Sequence, residues 1–221
     1  MASDITFHYF HGRGIGEPIR LLLTVGEIAF TDRRYSVDEF ANMAAFKAQL
    51  PFGQMPALEV DGVFLGQTDS IARLAARLAG LYPSDPIEAA RSDMIVVHQA
   101  EIQSALAKMS FEGVPGTPGM KMVPQEERQK RIAAWLETTL PGALRRLEKL
   151  SQEGCMVGSQ LSWADICVFN RLNQLLDIDA DVLHADFPKL QAVYERVDAL
   201  PQVQAWIRAH QDDYPRFRAG G

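Results

Sequence analysis

Tyr9 and the pair Gln67-Thr68 are the residues whose types and positions bear most directly on chemistry. Tyr9 ends the alternating run Ile5-Thr6-Phe7-His8-Tyr9-Phe10, which reads as a strand. In an α/β layer, ligands bind in the crevice beyond the carboxyl ends of the strands. A phenol placed there can aim its hydroxyl at a ligand, or it can bury its ring and give its hydroxyl to water; both readings stay open at this point. Gln67-Thr68 opens an apolar-periodic helix whose first N–H groups and positive dipole end suit an anion, although Thr68 can equally be a plain N-cap. Between them, Gly53-Gln54-Met55-Pro56 leads into the short apolar run Ala57-Leu58-Glu59-Val60. Proline is tolerated at the first residue of a strand, and X-Pro is where a cis bond is accessible. A cis Met55-Pro56 bond would turn the backbone amide of Met55 outward, towards a ligand.

Other chemistries are excluded by spacing. Gly12-Arg13-Gly14-Ile15-Gly16 follows a strand and opens a helix, as a dinucleotide-binding loop does, but its third glycine comes one residue early and Glu17 occupies the required slot; only Asp32, near where a ribose-binding acid belongs, favours that reading. His8, His11, His98, His184 and His210 show no metal-ligand spacing, and no G-x-S-x-G or Walker pattern occurs. Cys155 and Cys167 are too few for a disulfide framework or a zinc site. Cys167, on an apolar helix, reads as inert packing. The net charge of −6 arises from 22 basic and 28 acidic residues without a basic stripe, which argues against a nucleic-acid partner. The first residues lack the pattern of a signal peptide, and no apolar run reaches membrane-spanning length, so a reducing, cytoplasmic setting is expected. Nothing in the chain supplies its own nucleophile, and no metal is expected.

The elements that must position these residues divide into two parts. A 221-residue chain with 47% hydrophobic residues can bury a substantial core. After the first strand, Pro18 suits the first position of a helix, a second strand covers Thr31 to Tyr35, and Ser36 with Glu39 forms a capping box for a helix through Lys47. The Asp61-Gly62 turn joins two short strands, and the helix from Thr68 through Ala79 closes the unit. The order β-α-β-α-β-β-α predicts a small α/β domain over 1–79 with a mixed four-stranded sheet. Gly80 to Pro86 reads as a linker. From 87 to 221 only helices are expected: Pro86 to Met109, then Gln125 to about Gln152 with a kink at Pro141. A third begins at Leu161-Ser162-Trp163-Ala164-Asp165 with Ser162 as cap and Asp165 reciprocating, and two more are led by Pro188 and Pro201.

Tyr9-Phe10 before a glycine-arginine loop, Glu17-Pro18-Ile19-Arg20, the run Pro51 to Gly62, Gln67-Thr68-Asp69-Ser70-Ile71-Ala72-Arg73 and Leu161-Ser162-Trp163-Ala164-Asp165 together resemble a cytosolic glutathione transferase. The sigma class, which includes the glutathione-dependent prostaglandin D synthases, is the most similar. The likeness spans nearly the whole chain and weakens in the Gly/Pro loop near 113–124. It implies a thioredoxin-like domain joined to an all-α domain, a homodimer, and glutathione as co-substrate. By this resemblance, Met55 before Pro56 pairs with the cysteinyl backbone of glutathione like an added strand. Gln67 and Thr68 hold the γ-glutamyl carboxylate, Lys47 and Gln54 lie towards the glycyl end, Gly53 also belongs to the glutathione-binding set, and Glu101 of the neighbouring subunit meets the γ-glutamyl ammonium. The electrophile is expected among Phe10, Arg13, Ile15, Ile102 and Lys108.

The implied chemistry is thiolate activation. A thiol with a pKa of about 8.5 is a poor nucleophile at neutral pH. A hydroxyl that donates to sulfur favours the anion, and Tyr9, a phenol of pKa about 10, stays protonated to do so. Lowering the thiol by about 2 units takes roughly 2.7 kcal/mol, against about 1.5–3 kcal/mol for one hydrogen bond to a charged group. Three departures stand out. Ile15 replaces an arginine and Met43 a tryptophan found in many sigma-class members, and Lys108 departs from the aromatic lining of the prostaglandin isomerases. Prostaglandin synthesis is therefore not carried over. Two alternatives remain beside conjugation: a glutathione-dependent isomerase or peroxidase, and a non-catalytic carrier or crystallin of the same fold.

Overall fold

A computed structural model describes residues 4–113, 121–152, 154–183 and 186–214; His184 lies outside them. The first seven elements are β1 (Ile5–Phe10), α1 (Glu17–Val25), β2 (Thr31–Tyr35), α2 (Val37–Asn42), α3 (Ala44–Lys47), β3 (Ala57–Val60) and β4 (Val63–Gly66), followed by α4 (Thr68–Leu78). They build a four-stranded sheet in the order β2-β1-β3-β4, with β1 parallel to β2 and antiparallel to β3. The hairpin turn uses positive φ at Asp61 and Gly62, which matches the right-handed twist of the strands it joins. The Met55–Pro56 peptide is cis.

Because β1 is central, both of its faces are covered, and its alternation separates two cores. Ile5, Phe7 and Tyr9 face the main core with Leu21, Leu22, Leu58 and Ile71 from α1, β3 and α4. On the other face His8 and Phe10 meet a smaller aromatic cluster, with Phe46 and Phe64 beside His8 and Phe40 edge-on to Phe10.

The helix expected from Ser36 to Lys47 is two. Ser36 and Glu39 do form the capping box, but Asn42 Nδ2 donates to the Asp38 carbonyl at 2.9 Å. That side chain competes for a backbone acceptor of the helix, and Met43 leaves helical geometry at φ −91°, ψ 57°.

Residues 80–85 carry no helix or strand. Beyond them α5 (Pro86–Ser110) starts with Pro86 behind Asp85, whose carboxylate accepts from the Ile87 and Glu88 N–H groups. The region is mostly helical rather than wholly so: β5 (Phe111–Glu112) pairs antiparallel with β6 (Lys121–Met122), strands too short to leave a period in the sequence. The single kinked helix expected over 125–152 is α6 (Gln125–Thr138) and α7 (Leu140–Leu150). Pro141 lacks the N–H that would continue the ladder, so it sits in the first turn of a new helix instead. Next come α8 (Trp163–Leu176), α9 (Pro188–Asp198) and α10 (Pro201–Ala209), with a 3₁₀ turn at Gln211–Asp213.

Helix α8 is the axis of this half. It packs on α5 and α9 and also meets α1 and α4, so nearly its whole circumference is buried. Its start is fixed by Asp165, whose oxygens accept from the N–H groups of Met156 and Ser162 and from the Ser162 hydroxyl, each at 2.7 Å. The Trp163 indole donates to Ser92 of α5 at 2.8 Å.

Candidate active site

The Tyr9 ring lies under the loop between β1 and α1. A Cβ built on Gly16 would stand 2.4 Å from Tyr9 Cδ1, and one on Gly14 would stand 2.5 Å from Tyr9 Oη. The glycine pattern that suggested a phosphate loop is therefore the clearance needed for a tyrosine ring. Arg20, fully buried in α1, holds this loop in place. Its guanidinium donates to the Gly12 and Phe10 carbonyls at 2.8 and 3.2 Å, and to Glu17 and Asp32 at 3.0 Å. Glu17 also accepts from the Trp206 indole at 2.7 Å and from the Tyr214 hydroxyl, so the end of the helical half braces the same loop.

Tyr9 is 8% exposed. Its Oη accepts the Ile15 N–H at 3.2 Å, which leaves its own proton free to be donated. Burial raises its pKa above the ordinary phenol value, against the opposing Ile15 hydrogen bond. At neutral pH it is a donor.

Helix α4 begins at Thr68, where the helix was expected to start. Gln67, not Thr68, is the N-cap: its carbonyl accepts the first helical bond from Ile71 N–H at 3.0 Å, and no side chain caps the end. Gln67 holds φ 70°, ψ 117°, a sparsely populated conformation that costs energy and persists only where its surroundings enforce it. The uncapped end opens into a cleft of about 510 Å³, within the range of small-molecule sites, lined by Gln67, Thr68, Asp69 and Ser70 of α4 and by Ile15 and Pro18. Residues of α5 and α8 form its opposite side. A smaller recess of about 130 Å³ adjoins it, lined by Gln54, Met55, Pro56, Phe52 and Gly66, and shares Ile15, Gln67 and Thr68 with the cleft. Burial raises the Asp69 carboxyl, with Arg73 opposing and Asp93 adding to the shift.

Of the residues singled out in the sequence, the structure gathers Ile15, Gln54, Met55, Pro56, Gln67 and Thr68 along this continuous hollow. Tyr9 lines neither part, and Ile15 connects it to both. Gly53 turns with φ 62° just before the recess. Lys47 donates to the Ala41 carbonyl at 2.9 Å and lies 4.9 Å from the Phe40 ring. Glu101 is exposed on α5, 3.2 Å from His98. Arg13 donates to Asn173 at 2.8 Å, pairs with Asp177 and stacks over Tyr214. It lines a second depression of about 370 Å³ with Gly14, Leu106, Gln174 and Gln103, which also lines the cleft. Ile102 is buried in the core, Phe10 packs on Tyr9 and Phe40, and Lys108 is exposed in the last turn of α5. None of these three lines the cleft, the recess or that depression.

Gln99, Gln103 and Arg171 complete the far wall of the cleft, and sequence reasoning passed over them. Arg171 had one available signal: a cation within the apolar run Cys167-Val168-Phe169-Asn170-Arg171-Leu172. Arg20 had another, since Glu17 and Arg20 sit three apart on one helical face.

Residues 5–77 match the family model described as glutathione S-transferase, N-terminal domain, and residues 117–210 the one described as glutathione S-transferase, C-terminal domain. Glutathione S-transferase A4 of Mus musculus is 31% identical over 208 residues, covering 94% of this chain and 90% of that protein. The chain belongs to the glutathione S-transferase family. Hematopoietic prostaglandin D synthase of Gallus gallus is 33% identical over 90% of this chain and 93% of its own length. Among solved structures, the Pi-class glutathione S-transferase of Onchocerca volvulus superposes with a TM-score of 0.81 at 26% identity, covering 96% of this chain and 95% of that one. Glutathione is thus the co-substrate of a transferase.

Proposed function

We propose that this glutathione transferase activates the glutathione thiol through Tyr9 and conjugates it to small hydrophobic electrophiles. One observation carries the reading: the Tyr9 hydroxyl accepts the backbone N–H of Ile15, a residue common to the walls of the cleft and the recess, so its remaining proton can serve a sulfur there. The uncapped start of α4 suits the γ-glutamyl carboxylate at Gln67 and Thr68, and Met55, in the recess before the cis Pro56, holds the cysteinyl backbone in this reading. Lys47 and Gln54 lie towards the glycyl end, and Gly53 also belongs to the glutathione-binding set. The electrophile enters from the side of Arg13 and Ile15; Phe10, Ile102 and Lys108, expected beside it from the sequence, line none of these hollows. The test is conjugation of glutathione with chlorodinitrobenzene, in which the thiolate forms a C–S bond and chloride leaves with the C–Cl electron pair. An absent product together with no thiolate absorbance from bound glutathione refutes the reading. The similarity to hematopoietic prostaglandin D synthase favours a second one, isomerisation of an endoperoxide on the same thiolate, which product analysis separates from conjugation.

The sigma-class assignment rests on the motifs given above. We also infer a homodimer, with domains over 1–79 and 87–221 and a linker over 80–86. Ile87, Met94 and Glu101 recur every seven residues along α5, which places them on one face, and Ile87, Met94 and the nearby Val97 are exposed, as is Phe52 on the other half. Solvent-exposed apolar side chains grouped in this way mark an interaction surface. A second copy seated there would bring its Glu101 to the γ-glutamyl ammonium. Light scattering that reports a monomer at micromolar concentration refutes this. The two cysteines are unpaired and buried, which supports a reducing compartment such as the cytoplasm.

A further inference from the structure

The cleft has two arginines near it, and they are differently employed. Arg13 is paired with the Asp177 carboxylate. Arg171 is 2% exposed and lines the cleft from α8, yet among the described residues its hydrogen bonds run to neutral amides. Nε donates to Gln99 Oε1 at 3.3 Å, and one terminal nitrogen donates to the side-chain oxygens of Gln103 and Gln174. Among the described residues no carboxylate pairs with it. Asp69 lines the same cleft, but the charges acting on it are those of Arg73 and Asp93. Burial keeps the neighbouring Cys167 thiol neutral, and the charge acting on Arg171 is the like charge of Arg13.

A buried guanidinium without a counter-ion is costly, because burial disfavours the charged form and amides return only part of the lost hydration. The cost is visible in its acidity: burial pulls Arg171 down to about 9, still cationic at neutral pH. Three glutamine oxygens orient the fork without neutralising it. Such a group gains most from an anion entering the cleft, and a planar fork suits a carboxylate in particular.

We propose that Arg171 holds a carboxylate carried by the electrophile, so that the second substrate of this enzyme is an apolar electrophile with an acidic group rather than a wholly neutral one. The inference rests on the glutathione reading above. It assigns glutathione's γ-glutamyl carboxylate to the start of α4 and its glycyl end to the Lys47 side, which leaves the α8 wall to the second substrate. Gln99 and Gln103 act as positioning residues that keep the guanidinium pointed into the cleft.

Calorimetry on the whole protein tests this without depending on turnover. The ligands are the glutathione conjugate of chlorodinitrobenzoate, the conjugate of its methyl ester, and glutathione itself. The acid conjugate is expected to bind at least tenfold tighter than the ester. In Arg171→Met that preference is expected to vanish, with the affinities for the ester conjugate and for glutathione unchanged. Arg171→Lys, which keeps a cation and is the gentler change in a buried site, should retain part of it. Equal affinity of the wild-type protein for acid and ester overturns the proposal even if neither variant folds. A loss of glutathione affinity in Arg171→Met also overturns it, since Arg171 would then hold glutathione's own carboxylate. Failure of glutathione to bind the wild-type protein is a different result, and it sinks the transferase reading itself.

Discussion

Replacing Tyr9 with Phe removes one hydroxyl and keeps the ring that the Gly14–Gly16 loop is shaped around. The variant should therefore fold and bind glutathione, and lose only what the proton contributes. A hydrogen bond to a charged partner is worth about 1.5–3 kcal/mol. At about 1.4 kcal/mol per unit, that is roughly 1.1–2.2 units in the pKa of the bound thiol. If the wild-type enzyme holds the thiol about 2 units below its reference value of about 8.5, the variant moves it from about 6.5 to between about 7.6 and 8.7. Near pH 7 the thiolate fraction then falls from about three quarters to between about a fifth and a fiftieth, a loss of about 4- to 40-fold in thiolate-limited kcat/KM. Near pH 9 the two proteins should differ by less than about twofold, because both are then mostly thiolate. The freed Ile15 N–H can turn to the sulfur, which favours the low end of the range. Ultraviolet absorbance of bound thiolate, titrated against pH, reads the shift directly. A thiol pKa unchanged within about 0.3 units, or a loss of activity equal at both pH values, would show that Tyr9 does not act by donating to sulfur.

Gly16→Ala is expected to lower activity about as much as Tyr9→Phe, because its Cβ would meet the Tyr9 ring at 2.4 Å while Gly16 itself has an ordinary negative φ; the double variant should be no worse than Tyr9→Phe, and additive losses in kcat/KM would count against the shared cause. Asp165→Ala strands the buried N–H groups of Met156 and Ser162, each worth about 1–3 kcal/mol when unpaired, so urea unfolding should show about 2–6 kcal/mol lost in sum, with Asp165→Asn milder because it keeps an acceptor oxygen. His8 has its pKa lowered by burial, against the opposing Glu59 contacts. The unfolded chain therefore takes up a proton first as pH falls, and stability present above about pH 6.5 is lost below it. His8→Gln should flatten the fall in melting temperature between about pH 6.5 and 5, and parallel profiles for the two proteins would refute that assignment.

The sheet and most helix starts were legible because they rest on local chemistry. Alternation marks β1, Asp61-Gly62 marks the hairpin, Pro86 and Ser162 with Asp165 mark helix starts, and each is a short-range preference the fold keeps. What was missed is of two kinds. The breaks at Met43 and Thr139 come from Asn42 taking a backbone carbonyl and from Pro141 preferring a first turn, so a period that continues across them misleads. The far wall of the cleft comes from α5 meeting α8, residues about 70 apart in sequence by the Gln99–Arg171 separation, and no local spacing encodes which of their side chains face a common hollow. The glycine loop was legible only by exclusion. Its spacing ruled out a dinucleotide loop, but nothing local named the object requiring room, which is the Tyr9 ring.

Ile15 separates two contributions that are easily confounded. Its backbone N–H reaches Tyr9 Oη, and that contact exists whatever side chain the position carries. Its side chain contributes to the walls of the cleft and the recess, where isoleucine adds apolar surface and an arginine would add a charge. The departure at this position should therefore leave the tyrosine's orientation intact and change only the field at the sulfur. Ile15→Arg is expected to lower the bound thiol's pKa further, since a nearby cation favours the anion, by about 1 unit for a partly solvated charge. That shift should shrink as ionic strength rises and screens the added charge, whereas the part due to Tyr9 should not. If Ile15→Arg instead raises the thiol pKa, the side chain and the N–H are coupled, and the hydroxyl's position depends on the residue that roofs it.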